Sequence, residues 1–109
     1  MKSAKLGVAT YLTPEGAIVG ENLAELDEHI KEIGGPGLVH LVVDLRHVPF
    51  FDSQGLDFLF ELSGSLRETG GSLRLANANL VCRDTLAVTK LDRTIPVFEN
   101  LETAGRSFL

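Results

Sequence analysis

Residues 38–45 read LVHLVVDL, a nearly continuous apolar run that polar side chains enter only at His40 and Asp44. A half-solvated strand alternates apolar with polar residues, while a strand covered on both faces stays apolar throughout. The run therefore predicts a strand in the middle of a sheet, with Asp44 near its end.

The flanking segments supply partners and cover. Residues 6–12 carry alternating and β-branched apolar residues, and Thr13-Pro14-Glu15-Gly16 is a turn signal before Ala17-Ile18-Val19, which together predict a hairpin. Asn22 is a good N-cap with Glu25 three residues on, and Leu23, Leu26, Ile30 and Ile33 share one helical face. That first helix is expected to stop at Gly34-Gly35-Pro36-Gly37. A second helix from about Gly55 directs Leu56, Leu59, Leu62 and Leu66 inward and ends at Gly70-Gly71. A strand over 72–76, a helix over 79–90, an edge strand over 95–98 and a short helix over 100–108 complete the order. Pro96 favours the edge because proline cannot donate to a ladder. Strands alternating with helices give an α/β fold, a mixed sheet with helices as the covering layer.

At 109 residues the chain is expected to be a single domain, 1–109, and its 44% hydrophobic and 23% charged residues are ordinary for a soluble globular protein. No run approaches the roughly 20 apolar residues of a membrane span, and the N-terminus lacks a signal peptide, so a cytoplasmic location is expected. Ten Lys plus Arg against 15 Asp plus Glu give a net charge of -5 with no basic tract, which argues against nucleic acid and fits a protein partner. Cys82 has no second cysteine to pair with and reads as a small buried side chain. His29, His40 and His47 lack ligand spacing, so no metal is expected.

The informative polar break is FFDSQGLDFLF, residues 50–60, where Asp52, Ser53 and Gln54 precede Gly55 between apolar residues. A strand that ends near Val48-Pro49 and re-enters as a helix leaves backbone N–H groups unpaired at this point. One reading is helix capping by Asp52 or Ser53, with Gly55 easing a tight entry. The other holds Ser53 at a surface corner where a kinase reaches its hydroxyl, and phosphorylation adds roughly -1.5 to -2 charge units beside Asp52 and Asp57. The residues alone leave both open.

Several blocks in order, LVHLVVDLRHVPF, FDSQGLDFLF, GGSLRLANA and KLDRTIPVFENLETA, resemble the STAS family, specifically bacterial anti-sigma factor antagonists, from about Leu6 to the C-terminus. The resemblance implies a STAS-type domain with a four- to five-stranded mixed sheet, helices mainly on one face, no catalytic activity and no cofactor. It implies that the partner is an anti-sigma factor that is also a serine kinase, which phosphorylates the antagonist, and that a phosphatase reverses the mark. The family pattern D-S-[ST]-G puts the acceptor at Ser53, and the partner surface falls on Asp52, Gln54, Gly55, Asp57, Glu21 and Asn22. Gln54 stands where Ser or Thr is usual, Asp57 where a small residue is common, and Gly20-Glu21-Asn22-Leu23 departs from the family's usual acidic pattern.

Two other classes compete. The same fold serves as a non-switching module of an ABC lipid transporter or of a stress-signalling scaffold. An enzyme would use Ser53 as nucleophile, His47 as base and Asp44 or Asp52 to orient it, but no G-x-S-x-G elbow is present. Phe58 and Phe60 flank the leucine stripe, and both are expected to cover the edge of the core, with Phe60 the one nearer a partner-facing side.

Overall fold

The computed structural model describes residues 1–34 and 40–109. The predicted helix stop at Gly35, Pro36 and Gly37, and the first residues of the predicted central strand, Leu38 and Val39, lie outside the described residues. Five strands, β1 (Lys2–Leu6), β2 (Ala9–Thr13), β3 (His40–Asp44), β4 (Ser72–Ala76) and β5 (Val97–Phe98), form one sheet in sequence order. β1 runs antiparallel to β2, and every later pair is parallel. The apolar run thus lies in the middle, as its two-faced character requires, and β5 is an edge pair entered through Pro96.

Alternation along β3 sends side chains into two separate cores. Leu41 and Val43 join Leu12, Leu73 and Leu75 under helices α1 (Leu23–Gly34), α2 (Ser53–Glu68) and α3 (Leu80–Val88), which contribute Leu26, Ile30, Leu59, Leu66, Cys82 and Leu86. Val42 faces the other way, with Ala9 and Ala76, beneath α4 (Leu101–Arg106) and its Ala104. Three helices on one face and one short helix on the other match the expected layering. On the α4 face the ring of Phe108 lies 4.9 Å from that of His40 and 3.8 Å under the Arg74 guanidinium. Both Arg74 and His40 reach Ser72 Oγ, so His40 is a satisfied structural residue.

The hairpin forms earlier than the sequence predicts. Leu6 pairs with Ala9 across Gly7-Val8, and Gly7 takes φ +63°, the left-handed conformation a two-residue hairpin loop needs and only glycine adopts cheaply. Residues 17–19 make no hairpin. Ile18, 2% exposed, is a core residue whose backbone needs are met by the loop that follows β3, through Ile18 N to Phe50 O at 3.2 Å and Asp52 N to Ile18 O at 3.3 Å.

Truncating the central strand should be costly because no neighbouring element can fill the space from either side. Leu41→Ala is expected to lose about 2–5 kcal/mol, read as a lower midpoint in urea unfolding with an unchanged slope.

Candidate functional site

Because β2, β3 and β4 are parallel, their C-terminal ends emerge at the same edge of the sheet, and the following segments meet there. These are residues 14–22 after β2, 45–52 after β3 and 77–79 after β4. Asp44, the last residue of β3 and 1% exposed, gathers them. Its carboxylate accepts from Arg46 N at 3.1 Å, Arg46 Nε at 2.7 Å, Asn77 Nδ2 at 3.0 Å and Thr13 Oγ1 at 3.4 Å. A buried carboxylate with this many donors is satisfied, and it anchors the loop that leads to the polar break.

At the break the cap is Asp52, and Ser53 is the first helical residue. Asp52 Oδ1 accepts from Gly55 N at 2.7 Å, the expected reach of an N-cap side chain to the third helical N–H. Its other oxygen accepts from Gly20 N at 3.0 Å, 32 residues away, and so ties the 3₁₀ turn Gly20–Asn22 to the start of α2. The Gly20 and Gly55 N–H groups hold the Asp52 carboxyl below its ordinary value of 3.8.

Gly55 has a different role from helix entry. A Cβ there would lie 2.0 Å from the carbonyl oxygen of Ile18, so only glycine lets the first turn of α2 approach this backbone. Gly20 is just as close to its neighbour, since a Cβ on it would lie 1.6 Å from Gln54 Oε1. The Gln54 side chain therefore rests on the 3₁₀ turn that carries Glu21 and Asn22.

The six residues predicted for a partner surface divide in two. Asp52 is partly buried and Gly55 buried, and both hold the corner together; Gln54, Asp57, Glu21 and Asn22 are exposed around it. Ser53 is exposed among them, and its hydroxyl makes no hydrogen bond among the described residues. Asn22 does not cap α1. It lies in the 3₁₀ turn and its amide donates to Ala17 O at 3.0 Å, although α1 still begins at Leu23. Phe58 packs against the core, while Phe60 points outward and is exposed.

The triad of Ser53, His47 and Asp44 or Asp52 is not assembled. The carboxylates of Asp44 and Asp52 are occupied by other donors, and neither orients His47 among the described residues. No group of three or more His, Cys, Asp or Glu there is placed to hold a metal, and no described helix is long and apolar enough to cross a membrane. The tie from Asp52 to Gly20 had no sequence signal, because nothing local relates residues 32 apart.

Two substitutions test this corner. Gly55→Ala, which in an ordinary helix interior would be favourable by about 1 kcal/mol, should instead cost about 1–3 kcal/mol through the clash with Ile18, measured by chemical denaturation. Asp52→Asn should be less stable than the parent above pH 3.8. A carboxylate with a depressed folded value stabilises fully above the unfolded value and loses that contribution as pH falls through the folded one. The gap between parent and variant should hence close on acidification below 3.8, followed by urea midpoints across a pH series.

No curated protein sequence matches the chain. Solved structures do. TM1081 from Thermotoga maritima, provisionally named an anti-sigma factor antagonist, superposes with a TM-score of 0.90 at 20% identity, over 97% of this chain and 92% of its own. The anti-sigma factor antagonist SpoIIAA in its unphosphorylated form gives 0.70 at 14% identity, covering 97% and 96%. The STAS domain of a SulP transporter from Vibrio cholerae gives 0.71 at 22% identity, covering 88% and 76%. At these identities the likeness is one of fold, a single α/β domain with a five-stranded mixed sheet. A family model described as STAS domain matches residues 3–104, and the chain accordingly belongs to the STAS domain family.

Proposed function

We propose that this chain is a cytoplasmic anti-sigma factor antagonist that binds an anti-sigma factor with serine kinase activity and is switched off by phosphorylation at Ser53, with a phosphatase to restore it. One observation carries the reading: the exposed hydroxyl at the first position of α2 is spared from capping, because Asp52 does that work. A phosphate on Ser53 would replace no internal bond. It would sit at the positive end of the helix dipole, which offsets part of its charge for the fold, while Asp57 one turn on and Glu21 across the tie raise the negative charge presented to a partner. A kinase that has just transferred a phosphoryl group still holds a polyphosphate opposite this surface, so repulsion favours release.

Fold neighbours named as anti-sigma factor antagonists support this reading, and the SulP domain supports a second, a non-switching STAS module of a transporter assembly, the class that also includes ABC lipid transporter subunits and signalling scaffolds. Capture from native extract in ATP and in ADP separates them: a serine kinase retained in ADP and lost in ATP, with phosphate on Ser53, supports the antagonist. A permease or a large scaffold retained in both supports the module.

Charge and hydroxyl at Ser53 separate by substitution. Ser53→Ala removes an exposed group that caps nothing, so it should change stability by under about 0.5 kcal/mol, bind the partner as the parent does, and ignore ATP. Ser53→Asp should melt near the parent temperature yet bind at least about tenfold more weakly, or about 1.4 kcal/mol, by calorimetry. Equal affinity for all three proteins would reduce Ser53 to a surface residue.

A further inference from the structure

The two edges of the sheet are protected to different degrees. β5 has two residues and is entered through Pro96, so it offers an approaching strand almost no ladder to extend. β1 is five residues long, pairs with β2 in unbroken register from Lys2↔Thr13 to Leu6↔Ala9, and contains no proline. All five of its residues are exposed, and its outward N–H and C=O groups have no strand partner. The register assigns its side chains to faces. Lys2, Ala4 and Leu6 stand opposite Thr13, Tyr11 and Ala9 and so lie on the α4 face, while Ser3 and Lys5 stand opposite Leu12 and Thr10 on the three-helix face. α4 packs over β3, β4 and β5, which leaves the α4 face of β1 as the floor of an open groove of about 470 Å³. Its lining is largely apolar, with Ala4, Leu6 and Tyr11 from the sheet and Leu101 from α4, and Leu6 is 66% exposed.

We infer that β1 is a docking edge for an extended acidic segment of another protein, which adds a strand beside β1 and seats an apolar side chain in the groove. Charge selects this occupant. The chain as a whole carries a net charge of -5, yet β1 presents two lysines, one on each face, and neither forms an ion pair among the described residues. Glu102, which also lines the groove, is already paired with Arg106. A second copy fits poorly, because pairing β1 with itself gathers four lysines on two strands, and lysine on an exposed edge is how a sheet refuses its own kind. A strand with carboxylates three residues apart meets both lysines, since positions three apart fall on opposite faces as Lys2 and Lys5 do. An antiparallel partner then places an apolar residue opposite Ala4, whose small side chain leaves room for it in the groove. Backbone bonds to the ladder supply affinity, and the groove and the lysines supply sequence preference. None of these residues belongs to the Ser53 corner, so the inference is independent of the antagonist reading.

The probe is the capped peptide Thr-Val-Glu-Phe-Thr-Glu-Thr, which in antiparallel register sets its glutamates opposite Lys5 and Lys2 and its phenylalanine opposite Ala4. Titrated into the isotope-labelled full chain, it is expected to shift the amide resonances of β1 and to slow their hydrogen exchange. Its affinity is expected to fall about tenfold or more as ionic strength rises from about 0.05 to about 0.5 M. The lysine peptide Thr-Val-Lys-Phe-Thr-Lys-Thr is expected not to bind the parent. In the double variant Lys2→Glu/Lys5→Glu the preference is expected to invert, the acidic peptide weakening about tenfold or more and the lysine peptide now binding, with the melting temperature unchanged because both positions are exposed. An acidic peptide that fails to bind the parent, that binds parent and double variant alike, or whose shifts fall on other strands overturns the inference. Sedimentation adds a further arm: self-association of the parent that the double variant loses, with no response to the acidic peptide, assigns the edge to a second copy of this chain and overturns it as well.

Discussion

One carboxylate joins the two halves of the functional corner. Asp52 spends one oxygen on the N–H of Gly55 and the other on the N–H of Gly20, and it is thereby both the cap of α2 and the tie that holds the turn after β2 against it. The geometry is possible only because Gly55 lets the helix approach the Ile18 carbonyl, while Ile18 itself is sunk in the core. Local capping, long-range attachment and burial thus meet within a few ångströms, and loss of any one loosens the others.

This division of labour separates structure from signalling at neighbouring residues. Asp52 and Gly55 carry the mechanical load and face inward, and Ser53, Gln54 and Asp57 are free to face a partner. A serine that served as the cap could not gain a phosphate without surrendering its bond to the helix, whereas a serine beside the cap changes the surface charge and leaves the helix start intact. Asp44 extends the same logic a step deeper, since its four donors fix the loop on which the corner stands.

The two faces of the sheet are built unequally. The face under α1, α2 and α3 holds the large aliphatic core, and the α4 face has small residues, Ala9, Ala76 and Ala104, with Tyr11, Phe98 and Phe108 closing over them. Small residues let the short helix lie close, where Tyr11 Oη approaches Gly105 so nearly that a Cβ there would be 2.4 Å away. The rigid platform lies on the three-helix side, the same side that sends out α2 toward the proposed partner surface.

The sequence by itself determined the central strand, the helices around it and the placing of Ser53 at a helix start. Apolar periodicity and caps act between residues three or four apart, and Asn79 and Asn100 mark the starts of α3 and α4 in the chain as in the structure. Tertiary structure alone decided that Asp52 rather than Ser53 is the cap, that residues 17–19 lie along the loop after β3 instead of forming a hairpin, and that Phe60 turns outward. The place of residues 17–19 and the second bond of Asp52 depend on strand order, which brings together residues some 30 apart through backbone N–H and C=O groups that every residue type carries. Such groups leave no trace in the identity of the side chains, so their pairing is legible only once the sheet is assembled.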